Sequence, residues 1–191
     1  MHLSPPLILG LVVAVAVQRL AELALARRWL RLSAAETAAT PERDPTYPLL
    51  VALHTAWLAG CAAEPLLWTR AVPPPLAWGA AGAWLLAMAL RGWTLGTLGR
   101  YWHVRIIRRG RQPIVTGGPY RFVRHPNYGV VIVEIAAVPL LLGAYGTALA
   151  ASAVNAVVLA ARIRREEAYL FEVPGYREAF AHKARLLPGV F

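Results

Sequence analysis

Long apolar blocks, separated by short polar and proline-marked stretches, organise this chain and predict helices of membrane-crossing length. Leu7 to Ala26 is the first, a run of about 20 mostly apolar residues that covers a hydrocarbon core of about 30 Å at about 1.5 Å per residue. It starts without a basic segment and ends in Arg27, Arg28 and Arg31, which predicts a retained span and not a cleaved signal peptide. A polar stretch with Pro41, Glu42, Arg43, Asp44 and Pro45 leads to a second block, about Pro48 to Trp68. Pro73-Pro74-Pro75 divides this from a third, about Leu76 to Leu98, in which Gly92 and Gly96 form a G-x-x-x-G that predicts close approach of another backbone. After a polar, Arg-rich segment from Arg100 to His125, the apolar pattern resumes at Tyr128, runs to about Leu142 and restarts from Thr147 to Ala161. Each of these last arms holds about 15 apolar residues, roughly 22 Å of helix. They predict a helical hairpin turning at Gly143 to Gly146, with Pro139 kinking the first arm. Beyond Ala161 the helix is expected to leave the membrane through Arg162, Glu166 and Tyr169, to stop at Pro174-Gly175 and to be followed by a short amphipathic tail.

Composition agrees with that pattern. Hydrophobic residues make up 58% of the 191 and charged residues only 16%, against about 45 to 50% and about 25% in soluble domains. The expected fold class is therefore all-α: a polytopic integral membrane protein with about five transmembrane helices. It forms one membrane domain, with three spans in residues 1–99 and a polar loop, helical hairpin and terminal helix in 100–191. The single cysteine, Cys61, excludes a disulfide scaffold. A net charge of +10 raises nucleic-acid binding as an explanation, but the distribution of charge removes the need for it. Arg27, Arg28, Arg31 and Arg43 follow the first span; Arg100, Arg105, Arg108, Arg109, Arg111, Arg121 and Arg124 follow the third; Arg162, Arg164, Arg165, Arg177, Lys183 and Arg185 follow the last. With five crossings all of these fall on one side, and only Arg70 lies in the opposite loops. The excess of basic residues on the cytoplasmic side of bacterial-type inner membranes then places the N-terminus outside and the C-terminus in the cytoplasm.

Polar chemistry must come from two regions. In Thr116 to Tyr128, Gly117 and Gly118 permit positive φ and close backbone approach, while Pro119 and Pro126 fix φ, so the stretch is a shaped loop before a helix. Free N–H groups at that helix start, with Arg124, His125, Tyr120 and Tyr128 alongside, suit an anionic ligand carrying an aromatic ring. An interfacial anchor loop explains the same residues. On the helix leaving the last block, Arg162 and Glu166 stand at i,i+4, Glu167 adjoins them, and Asn155 lies one heptad before on the same stripe. A surface ion pair worth a few tenths of a kcal/mol is the plain alternative. No metal site is expected.

The pattern G-P-Y-x-x-x-R-H-P-x-Y from Gly118 to Tyr128, followed by R-x-x-x-E-E-x-x-L from Arg162 to Leu170, resembles the isoprenylcysteine carboxyl methyltransferase family and related phospholipid methyltransferases. The resemblance covers about Trp102 to Phe180, including Tyr176 and Phe180. It implies a membrane-embedded methyltransferase that holds S-adenosylmethionine on the cytoplasmic side in a pocket of the C-terminal half, with the lipophilic acceptor entering from the bilayer. Carried over, the cofactor pocket is lined by Gly118, Pro119, Tyr120, His125, Pro126, Tyr128, Glu166 and Glu167, and Arg124 and Arg162 orient an acceptor oxyanion. No Gly-rich βαβ unit of a soluble methyltransferase is present.

Val130 departs from the prenylcysteine enzymes, which have glycine at that place. Together with Asn127-Tyr128 and the intramembrane Glu134 this resembles bacterial members that act beside type III polyketide synthases on alkylpyrones or alkylresorcinols. The acceptor classes implied are thus a prenylated carboxylate or a polyketide hydroxyl. A phenol, with a pKa of about 10, needs a base where an ionised carboxylate does not. Glu134 and His54 are the candidates, Glu134 being also a partner for Arg91 or Arg19 as a structural tie. The rival readings are an NADPH-dependent membrane reductase related to sterol reductases, which share a similar R-H-P-x-Y loop, and a non-enzymatic membrane adaptor or small transporter.

Overall fold

The computed structural model describes residues 2–37, 40–108 and 113–186, and these are mostly helical. The helices are α1 (Pro5–Thr37), α2 (Thr46–Leu67), α3 (Pro74–Leu98), α4 (Pro126–Leu142), α5 (Tyr145–Leu170) and α6 (Tyr176–Phe180). Two short strands, β1 (Thr40–Pro41) and β2 (Ile107–Arg108), pair antiparallel. Among the described residues three helices are long and apolar enough to cross a membrane: α1, α2 and α5. α4 is a shorter apolar helix, and α3, with Arg91 and its many glycines and tryptophans, falls short of the same measure of apolarity.

α1 runs well past the expected end of the first span. At 33 residues it is roughly 50 Å long, so Arg27, Arg28 and Arg31 ride on its final turns and not in a loop. Arg109 and Arg111 of the Arg-rich segment lie outside the described residues. At the far end, α5 stops at Leu170, earlier than Pro174-Gly175, and Gly175 enters the short helix α6 with φ of +82°.

α4 is the central helix, packed against α3, α5 and α2. The core joins Ile8 and Val15 of α1, Leu53, Trp57 and Cys61 of α2, Val131, Ile135, Val138 and Leu142 of α4 and Ala151 of α5. Trp57 is anchored there by its indole N–H, which donates to the Ile135 carbonyl at 3.1 Å. Outward-facing residues such as Leu20, Leu86, Leu149 and Val157 stay exposed, the pattern of helices whose outer faces meet lipid. The α4–α5 turn is tighter than Gly143 to Gly146: Gly143 takes φ of +78° and α5 begins at Tyr145. Glu64 at the end of α2 accepts from the Gly146 and Thr147 N–H groups at 2.9 and 2.7 Å, satisfying donors that a helix start leaves unpaired.

The G-x-x-x-G expectation fails. A Cβ at Gly79, Gly82, Gly92 or Gly96 would meet nothing within 4 Å, so that face of α3 is open. Close approach occurs at Gly60, where a Cβ would fall 2.5 Å from Thr147 Oγ1, bringing α2 and α5 together.

Within the helical core, α1, α3 and α4 are tied by charge. Glu134, fully buried, bonds both Arg91, at 2.6 Å, and Arg19, while Glu22 accepts from Arg91 at 2.7 Å and from Arg19 at 3.1 Å. Two cations and two carboxylates balance each other where an isolated charge would be prohibitive.

Candidate active site

The loop before α4 is built around Gly118. Its φ is +54°, and a Cβ there would fall 2.2 Å from Thr97 Oγ1 of α3, so only glycine fits both the conformation and the contact. Gly118–Arg121 then forms one turn of 3-10 helix with Pro119 buried beneath it. The C-terminal tail closes over this turn: Val123 bridges Ala184, and Arg124 and His125 N–H donate to the Ala184 and Arg185 carbonyls, both at 2.9 Å. Lys183 Nζ donates to the Tyr120 carbonyl at 2.8 Å. Pro126 opens α4 at its first position, where a missing N–H costs nothing.

The two sequence motifs meet across the α4–α5 hairpin. Tyr128 donates its hydroxyl to Glu166 Oε2 at 2.5 Å and accepts from Arg162 Nε at 2.9 Å. His125 stacks on Tyr128 with ring centroids 5.3 Å apart. Its Nε2 lies 3.2 Å from Glu167 Oε1, which places the proton on Nε2. Glu167 also receives Arg124 at 3.1 Å and Arg185 at 2.9 Å. This end of α5 lies beyond its apolar stretch, with Arg164, Arg165 and Glu166 between Arg162 and Glu167 marking the exit. Burial opposes the charge on Glu167, but the hydrogen bonds from His125 and Arg185 and the charges of His125 and Arg124 outweigh it and hold the carboxyl down at about 2. The same contact raises the Arg185 guanidinium above its ordinary value.

Beside these motifs lies a cavity of about 530 Å³, within the range of small-molecule sites. Of the expected cofactor residues, Tyr120, His125, Tyr128 and Glu166 line it, whereas Gly118, Pro119, Pro126 and Glu167 are not among the lining residues. Arg124 also lines it. Arg162 does not: its guanidinium is spent on Tyr128, Asp44 and the Val104 carbonyl, tying α5 to the chain before α2 and after α3. Glu134 sits in the ion cluster, away from the cavity lining, and His54 bonds the Leu50 carbonyl on its own helix at 2.8 Å. Asn155 is buried on α5 and is also not among the lining residues.

Sequence reasoning missed much of the wall. Tyr101, Trp102 and His103 after α3 line it, together with Asn127, Tyr169 and Leu170. Trp102 is distinguished by its burial, being packed edge-on against Trp29 of α1 at 6.1 Å. Asn127 Oδ1 is buried without a hydrogen-bond partner, an acceptor left for a ligand amine. Aromatic faces, the Glu166 carboxylate and this acceptor fit the adenine, ribose hydroxyls and ammonium of S-adenosylmethionine. Among the described residues no group of three or more His, Cys, Asp or Glu is arranged to hold a metal ion.

Comparison with known proteins decides the family. The model of the isoprenylcysteine carboxyl methyltransferase (ICMT) family matches residues 80–172. YpbQ of Bacillus subtilis strain 168, an uncharacterised protein, is 37% identical over 164 residues, covering 85% of this chain and 95% of that protein. The chain belongs to the ICMT family. The cobalt-zinc-cadmium resistance protein CzcN of Cupriavidus metallidurans strain CH34 is 37% identical over 119 residues, 58% of this chain and 52% of that protein. Among solved structures, the eukaryotic intramembrane Ras methyltransferase ICMT matches with a TM-score of 0.51 at 18% identity, over 73% of this chain and 52% of that one. The chain thus spans about half the length of these last two, and the structural match establishes the fold. ICMT membership supports a membrane methyltransferase and does not favour the reductase reading.

Proposed function

We propose that this ICMT-family chain is an S-adenosylmethionine-dependent methyltransferase, with the cofactor held in the cavity between the Gly118–Tyr128 loop and the end of α5. The observation that carries the reading is the Tyr128–Glu166 contact, which joins both family motifs at the wall of one aromatic-lined cavity. When bound, the cofactor supplies an electrophilic methyl on sulfur. Glu166 and Asn127 accept from its polar groups, and the rings of Tyr101, Trp102 and Tyr128 pack its flat and cationic parts. Glu167 acts one step removed by fixing His125, Arg124 and Arg185. The enzyme's task is then to hold an acceptor oxygen in line with the methyl and to exclude water.

In this reading α3 and α4 complete five crossings, the basic loops and the cavity face the cytoplasm, and a lipophilic acceptor reaches the cavity from the bilayer. The acceptor is an oxygen nucleophile, either a prenylated carboxylate or the hydroxyl of a long-chain alkylpyrone or alkylresorcinol. Arg124, the lining cation, orients it. Glu134 serves as a structural tie, given its two arginine partners, and Arg162 as a brace.

Equilibrium binding of S-adenosylmethionine and of NADPH to detergent-purified protein tests this, with wild type and His125→Ala. Selective S-adenosylmethionine binding weakened by the substitution is expected. Binding of NADPH, or of neither compound, overturns the reading.

A further inference from the structure

Two smaller cavities flank one stacked pair of side chains, Arg105 on Tyr47. One, of about 400 Å³, has Arg43, Arg105, Tyr47 and the carboxylates Glu42 and Asp44 in its wall. The other, of about 160 Å³, has Leu23, Ala26, Arg27 and Leu30 of α1 on one side and again Tyr47 and Arg105. Arg105 also borders the large cavity, but its guanidinium lies over the Tyr47 ring, 4.5 Å from the centroid, and Tyr47 lines only the two smaller spaces. An anion held on that guanidinium stands apart from the proposed cofactor space and is not the reacting group of an acceptor.

The backbone fixes Arg105 from both sides. The Val104 carbonyl accepts from Arg162 Nη2 at 2.6 Å, and the Ile106 carbonyl accepts from the Glu42 N–H at 2.9 Å, next to the β1–β2 pairing. A guanidinium stacked flat on a ring keeps its N–H edge free for bidentate contact with a phosphate. Arg27, Arg43 and Arg105 are exposed, and among the described residues none of the three is paired with a carboxylate. Asp44 is committed to Arg162 at 2.5 Å and to the Thr46 N–H and hydroxyl, so the walls keep an excess of positive charge even with Glu42 among them. Leu23, Ala26 and Leu30, at i, i+3 and i+7, share one stripe of α1. Leu23 belongs to the apolar run that ends at Ala26, and Arg27 follows directly. The slot therefore runs from hydrocarbon depth to headgroup level, apolar at one end and cationic at the other, in the order of a lipid standing in the leaflet.

We infer that these two cavities form a binding site for an anionic phospholipid, with its phosphate on Arg105, Arg43 and Arg27 alongside, and part of one acyl chain laid along Leu23, Ala26 and Leu30. A basic pocket between helix ends at the membrane surface suits such a headgroup. The surrounding leaflet supplies the ligand, and the site does not depend on the reaction proposed above. A zwitterionic lipid carries the same phosphate with a compensating ammonium, so the excess of arginine selects the anionic one.

The test titrates the full chain, purified in detergent and stripped of lipid, with dioleoyl phosphatidylglycerol, dioleoyl phosphatidylcholine or glycerophosphate, and reads the retained ligand by native mass spectrometry. Phosphatidylglycerol is expected to bind more than about tenfold tighter than phosphatidylcholine, and glycerophosphate, which has the phosphate without the chains, is expected not to displace it. Arg43→Gln and Arg105→Gln are each expected to weaken phosphatidylglycerol about fivefold. Leu23→Trp, which fills the slot and keeps every charge, is expected to weaken both lipids alike. Arg164→Gln removes an exposed cation of α5 that lines neither cavity and is expected to leave binding unchanged. Equal binding of the two lipids, displacement by glycerophosphate, binding untouched by Leu23→Trp, or an equal loss in Arg164→Gln and Arg105→Gln overturns the inference, the last by showing only diffuse surface charge.

Discussion

Tyr128 donates its hydroxyl to Glu166 at 2.5 Å, joining the first turn of α4 to the last turns of α5 across 38 positions of sequence. The same oxygen accepts from Arg162, so one phenol links the loop motif, the double-glutamate motif and the brace that runs on to Asp44. Tyr128→Phe keeps the ring on His125 but deprives Glu166 and Arg162 of a partner. A loss of about 1–3 kcal/mol is expected from leaving such groups unsatisfied. Thermal unfolding in detergent measures it, and an unchanged midpoint would show that water replaces the hydroxyl at no cost.

Glu134 separates a structural role from a catalytic one. Glu134→Ala strands two arginines in the helical core and is expected to cost about 3–5 kcal/mol. Glu134→Gln preserves shape, and its folded fraction is expected to methylate at a wild-type kcat. Should Glu134→Gln unfold normally yet lose turnover, Glu134 is the base and the tie is incidental.

Gly118→Ala meets two obstacles, the φ of +54° and the overlap with Thr97. It is expected to destabilise by more than about 1 kcal/mol and to weaken cofactor binding through the displaced loop. Adding Thr97→Ala removes the overlapping Oγ1 and Cγ2 atoms but not the backbone strain, so partial recovery is expected. Full recovery would assign the whole effect to the contact.

Glu167 sets an acid dependence. Its ordinary value is 4.5 and its folded value about 2, so its stabilisation is fully present above about 4.5 and is lost as pH falls through about 2. The difference in unfolding midpoint between wild type and Glu167→Gln is therefore expected to hold steady from about pH 8 to about pH 5 and to shrink toward about pH 3. A difference that persists undiminished at the acid end would place the stabilisation in packing, not in charge.

The positions of the helices and of the shaped loop were legible in the sequence because they depend on neighbours along the chain. Apolar runs mark α1, α2, α4 and α5, prolines open α3 and α4, and Gly118 carries its own backbone requirement. Glycine spacing in α3 misled, since Gly92 and Gly96 share a face whatever that face meets, and here it meets no other backbone. The division of labour among the charged residues was settled only by tertiary structure. Glu166 and Glu167 are adjacent in sequence, yet about 100° of helix rotation sends one to the cavity and the other to His125, Arg124 and Arg185. Arg162 carries the family spacing but is consumed by Asp44, Tyr128 and Val104. Glu134 finds Arg19 and Arg91 on helices far away in the chain, and His103 meets Ser33 of α1. Local backbone preference is written in adjacent residues, whereas the partner of a buried charge depends on how distant helices are rotated and stacked, and that is decided only when they pack.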